Sequence, residues 1–239
     1  MKAVILAGGK GTRLAPYTNI LPKPLMPIGE KPIMEILIHQ IKRAGIHEVI
    51  LTVGYLSQLI QSYFNDGSQL GVNLRYSYER EPLGTAGPLS LIEGLNNSFL
   101  VSNGDVLSDL DIKTFMEHHR RSGAAATIAM YNKTVKIDLG VIQLDGGQTV
   151  TGYTEKPTFH FPVSMGLYAF EPSVLDYIPR NEYLDFPDLV LKLIENGERV
   201  EGYRFDGYWR DLGNKDDYEQ AVLDFENMRE IFLPGEEHD

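Results

Sequence analysis

The chain has 239 residues, 43% hydrophobic and 23% charged, which fits a folded globular protein and excludes a disordered or fibrous one. With 22 Lys and Arg against 33 Asp and Glu, its net charge of −11 disfavours a nucleic-acid or anionic-membrane surface, because phosphate demands compensating positive charge. Cysteine is absent, so disulfides, thiolate nucleophiles and cysteine-ligated metal centres are excluded, and a cytoplasmic setting is expected.

The apolar start is too short for a signal peptide, and no stretch approaches the roughly 20 apolar residues that span a bilayer. Lys2–Ala7 is a short apolar run closed by Gly8 and Gly9. With both faces apolar it reads as a buried parallel strand. Gly8 to Pro32 is long, polar and broken by Pro22, Pro24, Pro27 and Pro32, so no continuous helix forms there. Loops of this length are generally functional or disordered. Leu21, Leu25 and Ile28 would anchor it, which favours function.

Pro32 opens a helix carrying Ile33, Ile36, Leu37, Ile41 and Ala44 at helical spacing, stopped by Gly45. A strand at Glu48–Val53, a helix at Ser57–Asn65 and a strand at Asn73–Tyr78 follow. Next come a helix at Thr85–Gly94 with Pro88 in its first turn and a strand at Phe99–Ser102. Asp109 and Asp111 then initiate a helix over Asp111–Ser122, ahead of a strand at Ala124–Met130. This alternation is the pattern of a doubly wound α/β sheet.

Beyond it, Gly140–Leu144 and Val150–Thr154 flank Asp145-Gly146-Gly147 as a β-hairpin. Val163–Phe170 and Arg199–Phe205 read as strands and Phe186–Glu195 as a helix. Asn214–Ile231 is a final amphipathic helix, with Tyr218, Ala221, Val222, Phe225 and Met228 on one side. Gly235–Asp239 reads as a solvated tail. No repeat or low-complexity linker interrupts the chain, so a single domain over 1–239 is expected, its hairpin region packed on the main sheet.

A strand running into Gly8-Gly9-Lys10-Gly11-Thr12-Arg13 suggests backbone amides that cradle phosphate. It is not a Walker loop, since the lysine precedes the last glycine, and Leu14 stands where a dinucleotide fingerprint needs glycine. Lys10, Arg13 and Lys23 gather positive charge in an acidic chain and point to an anion. Asp105, following a strand through Asn103-Gly104, sits at the carboxyl edge of the sheet, where open α/β folds bind ligands. Read alone, Asp105 could equally cap a turn, Asp211 could be a helix N-terminal acid, and Glu155-Lys156 could be an exposed turn. His118 and His119 read as surface residues. No zinc-type histidine spacing or G-x-S-x-G elbow occurs. Tyr203, Phe205, Tyr208 and Trp209 read as core aromatics.

K-A-V-I-L-A-G-G-K-G-T-R-L-A-P-Y-T followed by L-P-K-P-L-M-P-I closely resembles the signature of the sugar-1-phosphate nucleotidyltransferases. Further matches are the run Glu81–Gly87 with its P-L-G-T-A-G, N-G-D at Asn103–Asp105, L-G-V at Leu139–Val141, E-K-P at Glu155–Pro157 and G-Y-W-R-D-L-G at Gly207–Gly213. The resemblance implies a three-layer Rossmann-like α/β fold with a mostly parallel mixed sheet and an added β-hairpin region. Residues 1–130 would mainly bind nucleotide, 131–213 mainly sugar phosphate, and 214–232 would form the C-terminal helix.

It also implies transfer of a nucleoside monophosphate from a nucleoside triphosphate to a sugar 1-phosphate, releasing pyrophosphate. Leu6, Ala7, Gly8, Gly9, Gly11 and Thr12 would line the nucleotide, Arg13 would grip the triphosphate, and Lys23 would lie by the α-phosphate. Asp105 and Asp211 would share one Mg²⁺, which favours hard oxygen ligands. Gly84 and Thr85 would lie near the base, and Gly140, Glu155, Lys156, Ser164 and Gly166 on the sugar side.

Thymidylyltransferases of the family show G-L-A-Q where this chain has Gly84-Thr85-Ala86-Gly87. That departure points to the mannose- or heptose-1-phosphate guanylyltransferase branch and to GTP, with uridylyl-, cytidylyl- or thymidylyl transfer as the alternative. A nucleotide-sugar-binding regulatory protein would be expected to lose Asp105, Asp211, Lys23 or Arg13. A glycosyltransferase would carry D-x-D, whose letters recur only at Asp109-Leu110-Asp111, where the helix begins. A minimal catalytic domain with one activity is expected, as a homodimer or higher homo-oligomer, with no nucleic-acid or membrane partner.

Overall fold

The computed structural model describes residues 1–235; residues 236–239 of the expected tail lie outside them. The N-terminal half runs β1 (Lys2–Ala7), β2 (Pro27–Ile28), β3 (Lys31–Pro32), α1 (Ile33–Arg43), β4 (Glu48–Val53), α2 (Ser57–Phe64), β5 (Asn73–Tyr78), β6 (Phe99–Asn103), β7 (Val106–Ser108) and α3 (Ile112–Ser122). The remainder runs β8 (Ala126–Lys136), β9 (Val141–Leu144), β10 (Val150–Thr154), β11 (Thr158–Phe170), α4 (Phe186–Glu195), β12 (Val200–Phe205), β13 (Trp209–Asp211) and α5 (Lys215–Phe232).

The middle layer is a seven-stranded sheet in the order β12-β8-β11-β6-β1-β4-β5. Within it β6, β1, β4 and β5 are parallel, β11 is antiparallel to both its neighbours, and β12 is parallel to β8. The continuous apolar run of β1 follows from its central position. Ala3, Ile5 and Ala7 face a core built with α1, α2 and α3, while Val4 faces a second core with α4 and the Phe99–Phe170–Phe186 aromatics. A third cluster sets Phe225 and Phe232 of α5 against Ile28, Ile33 and Leu212. Thus the last helix packs on the long N-terminal loop, where the Tyr218 hydroxyl donates to the Pro27 carbonyl at 2.8 Å.

That loop is built, as its aliphatic residues suggested: Leu25 and Ile28 are buried, and short 3₁₀ turns occupy Thr12–Leu14, Tyr17–Asn19 and Lys23–Leu25.

Three expectations need correction. The helix expected over Thr85–Gly94 is only a 3₁₀ turn at Gly87–Leu91, because the Ala86 and Gly87 amides donate to the Leu184 carbonyl and Pro88 follows at once. Asp111 caps α3, accepting from the Thr114 amide, but Asp109 turns away and accepts from the Tyr208 amide at 2.7 Å. His119 is fully buried, with Nδ1 2.8 Å from the Thr127 hydroxyl and Nε2 3.3 Å from Glu171. In addition, β8 and β11 are longer than expected and leave the sheet as a projecting arm that carries the β9–β10 hairpin.

Candidate active site

β1 and β6 are parallel neighbours with Leu6 opposite Asn103, so the loops that follow them leave the same edge side by side. The Gly104 amide donates to the Leu6 carbonyl at 3.0 Å, and a Cβ on Gly104 would lie 2.9 Å from that oxygen. This close approach sets Asp105 beside the Gly8–Arg13 loop. Gly11 has φ +62°, a left-handed conformation that disfavours other residues, and a Cβ there would press on Thr18 and on Lys23 Cβ at 3.2 Å. Its carbonyl accepts from the buried Thr18 hydroxyl at 2.9 Å.

Asp211 arrives from more than a hundred residues downstream. β13 pairs antiparallel with β7, placing Asp211 opposite Val106, and the Leu212 amide donates to the Asp105 carbonyl at 3.3 Å. Two fasteners hold β13. Asp109 binds the Tyr208 amide ahead of it, and Arg210 reaches Asp224 at 3.1 Å and Asp217 at 3.4 Å on α5.

The buried Lys23 ammonium closes the group. It pairs with Asp105 and lies 3.9 Å from Asp211. Burial raises the Asp211 carboxyl, and the Asp105 charge raises it further, against Lys23 and Arg13. The Arg13 guanidinium lies over Gly213, where a Cβ would meet it at 3.2 Å. Arg13, Lys23, Asp105 and Asp211 are therefore one cluster, and Gly9 and Thr12 of the glycine loop are exposed.

Among the described residues no group of three or more metal-ligating side chains occurs. Asp105 and Asp211 still fit a hard divalent cation, since Mg²⁺ commonly takes one or two carboxylates and completes its shell with water and phosphate oxygens.

Gly166 lines the same edge. It lies in a bulge of β11, with φ +75°, and a Cβ would meet the Asn103 amide nitrogen at 2.6 Å. Its amide donates to the Ser164 hydroxyl at 3.3 Å. Gly140, Glu155 and Lys156 belong instead to the arm. Gly140 packs on the Tyr153 hydroxyl, which donates to Glu155 at 3.2 Å, and Lys156 holds φ +44°.

Gly84, with φ +78°, and Thr85 form a wall held from outside. The Thr85 amide and hydroxyl both donate to Asp185 Oδ1, at 2.9 and 3.0 Å. The Thr85 hydroxyl in turn accepts from the Phe186 amide.

Sequence reasoning missed Glu79. Its carboxylate lies where a Cβ on Gly8 would be, and it accepts from the Leu83 amide at 3.1 Å, joining the glycine loop to the wall. Burial raises its carboxyl against that hydrogen bond. The signal available was an acidic residue three positions ahead of the P-L-G-T-A-G run, with Glu81 directly before it.

A mixed α/β sheet with a glycine loop, two cations and two carboxylates at its carboxyl edge defines a phosphate-handling protein of nucleotidyltransferase type. The chain belongs to the nucleotidyl transferase family, whose profile matches residues 2–228. It is 38% identical over 98% of its length to a UTP–glucose-1-phosphate uridylyltransferase from Synechocystis sp.. A mannose-1-phosphate guanylyltransferase from Mycobacterium tuberculosis is 35% identical over 93% of the chain. The chain spans 66% and 64% of these two relatives' lengths.

The crystal structure of HddC from Yersinia pseudotuberculosis superposes with a TM-score of 0.72 at 26% identity, covering 94% of this chain and 99% of that one. The same protein was also solved complexed with GMP-PN. A Bacillus anthracis structure solved with sucrose, 22% identical with a TM-score of 0.77 and covering 100% and 97% of the two chains, shares the fold. No helix among the described residues is long and apolar enough to cross a membrane.

Proposed function

We propose that this protein transfers a nucleoside monophosphate from a nucleoside triphosphate to a sugar 1-phosphate, releasing pyrophosphate. The observation that carries the reading is Lys23 set between Asp105 and Asp211, with Arg13 alongside, at the mouth of a glycine loop. The attacking group is a phosphate oxygen, already anionic, so no general base is needed. That suits a site with no histidine among its central residues. The sugar phosphate oxygen bonds to the α-phosphorus while the bond from that phosphorus to the bridging oxygen of pyrophosphate breaks in line.

Leu6, Ala7 and the Gly8, Gly9, Gly11 and Thr12 backbone line the nucleotide. Arg13 grips the β- and γ-phosphates with its fork of donors. Lys23 turns from the carboxylates to the α-phosphate. Asp105 and Asp211 would hold Mg²⁺, which would supply positive charge to the phosphates. On the sugar side, Ser164 and Gly166 form a wall, Glu155 accepts from sugar hydroxyls, and Lys156 and the Gly140 backbone receive the sugar phosphate.

For the base we favour guanine and a mannose- or heptose-type 1-phosphate. Guanine presents adjacent N1–H and N2–H donors, which a carboxylate, an acceptor only, matches with two bonds. Glu79 is such a carboxylate, between the phosphate loop and the Gly84–Thr85 wall. Relatives named as mannose-1-phosphate guanylyltransferases and the GMP-PN complex of HddC support the same choice. The uridylyltransferase relative makes UTP with a hexose 1-phosphate the second reading.

The test is a panel of nucleoside triphosphates against mannose, heptose, glucose and amino-sugar 1-phosphates, read as pyrophosphate release with Mg²⁺. GTP with a mannose- or heptose-type acceptor is expected to be fastest, and Asp105→Asn to lose nearly all turnover with the fold intact. No release with any pair, or an unchanged kcat in Asp105→Asn, refutes the reading.

A further inference from the structure

Lys23 is fixed at its backbone and movable at its tip. The Leu25 amide donates to the Pro22 carbonyl at 2.8 Å and the Met26 amide to the Lys23 carbonyl at 3.0 Å, which pins the 3₁₀ turn Lys23–Leu25. Its Cβ stands against Gly11, where a Cβ would come within 3.2 Å. From there the stem crosses to the acids, and the ammonium pairs with Asp105 Oδ2 and lies 3.9 Å from Asp211 Oδ1. Among the described residues no other side-chain cation pairs with either carboxylate. Both acids are held by backbone, through the β7–β13 pairing and the Leu212 amide on the Asp105 carbonyl. The lysine tip is the member that can give way.

The ammonium and a divalent cation compete for the same acids. Mg²⁺ sits about 2.0–2.1 Å from an oxygen ligand, and an ammonium bonds a carboxylate oxygen at about 2.7–2.9 Å. Two cations sharing one such oxygen would lie within about 5 Å of each other, and a singly and a doubly charged ion repel about twice as strongly as two unit charges. Water relieves little of this, since the Lys23 and Asp105 side chains are 10% and 20% exposed. Binding the ion therefore requires the displacement of Lys23 as well as partial dehydration of the ion. A compact charge on a flexible stem is suited to being displaced and taken up elsewhere.

We infer that Lys23 is a displaceable counter-ion that keeps divalent cations off Asp105 and Asp211 as long as its ammonium stays on them. The inference rests on the proposed reading of the two aspartates as the Mg²⁺ ligands, and adds that the chain alone has little affinity for the ion. On that reading a nucleotide phosphate, by taking the ammonium, would open the pair to the ion that accompanies it.

Mn²⁺ added alone to the full chain, with no nucleotide or sugar phosphate, tests it, read as loss of the free-ion electron paramagnetic resonance signal. Wild type is expected to bind no more tightly than about 1 mM, the weak end for carboxylate sites, and Lys23→Met at least about tenfold more tightly. Lys23→Arg, which keeps a cation, is expected to stay near wild type. Adding Asp105→Asn to Lys23→Met should abolish the gain, which assigns the ion to these acids. Thermal melting gives an independent measure: Mn²⁺ should raise the melting temperature of Lys23→Met more than that of wild type, since a ligand stabilises the fold it binds.

Wild-type binding tighter than about 0.1 mM overturns the inference whether or not Lys23→Met folds. So does a folded Lys23→Met that binds Mn²⁺ no better than wild type, a Lys23→Arg that gains as much as Lys23→Met, or a gain that survives Asp105→Asn. Pyrophosphate release enters none of these readouts. If the triphosphate panel fails, or Asp105→Asn keeps its kcat, the metal reading itself falls. If Asp105→Asn is inactive and Lys23→Met gains nothing, this inference falls alone.

Discussion

Replacing Lys23 with methionine keeps the stem of the side chain and removes the charge that Asp105 and Asp211 share. The Lys23 and Asp105 side chains are 10% and 20% exposed, so solvent screens that pair weakly, whereas Asp211 is 41% exposed and counts for less. At about 4 Å and an effective dielectric near 20, one unit-charge pair is worth about 4 kcal/mol. Breaking a buried pair by removing one partner costs about 3–5 kcal/mol. Because this pair is only partly buried and the second is discounted, we expect Lys23→Met to lose about 2–3 kcal/mol.

A second substitution isolates the cause. Most of that loss is two carboxylates left facing each other, so adding Asp105→Asn to Lys23→Met should recover about 1–2 kcal/mol, a coupling typical of contacting residues. Urea unfolding at neutral pH, with EDTA to keep divalent ions away, measures wild type, both single variants and the double variant. Additive losses, or a Lys23→Met protein as stable as wild type, would refute the electrostatic account of the cluster.

Two further predictions rest on other parts of the fold. Burial alone would raise the Glu35 carboxyl, but the His39 ring 3.7 Å away and hydrogen bonds from Lys31 and Tyr63 outweigh it and bring it from 4.5 down to about 2. A depressed carboxyl stabilises the fold above its unfolded value and loses that contribution as pH falls through the folded one. At about 1.4 kcal/mol per pKa unit, this amounts to on the order of 3 kcal/mol at neutral pH. Glu35→Gln should therefore flatten the fall in stability between pH 4.5 and 2, and an unaltered slope in urea unfolding counts against the assignment. Asp185→Ala should release the Gly84–Thr85 wall and raise KM for the nucleoside triphosphate about tenfold, the effect of one or two lost hydrogen bonds. KM for the sugar phosphate should not move, and Asp185→Asn, which keeps an acceptor for Thr85, should restore the first. Equal rises in both constants would show a general loosening instead.

Much of this architecture is written locally. β1 is legible because a buried parallel strand must be apolar on both faces, and the glycines that end it mark where the backbone is closely approached, at Gly8 by Glu79 and Gly54. Leu25 and Ile28 showed that the proline-rich loop is anchored. The pairing of Asp105 with Asp211 rests on β7 and β13, three residues each, too short to carry any periodicity. Family resemblance could join them, but pattern could not. Thr85–Gly94 misled because its apolar spacing suits a helix, while the hydrogen bonds that decide its shape come from Leu184, about a hundred residues away. His119 misled for the opposite reason: a polar run on α3 suggested exposure, yet its own ring faces Thr127 and the sheet. The arm was hidden because its strands keep ordinary alternation after they have left the core.

The β7–β13 pairing also orders events in time. A growing chain contains β1, β6, the glycine loop, Lys23 and Asp105 while Asp211 has yet to be made. Translation at about 5–20 residues per second puts on the order of 5–20 s between the two carboxylates. For that interval only one carboxylate of the pair exists. The late strand is what brings the second carboxylate beside Lys23.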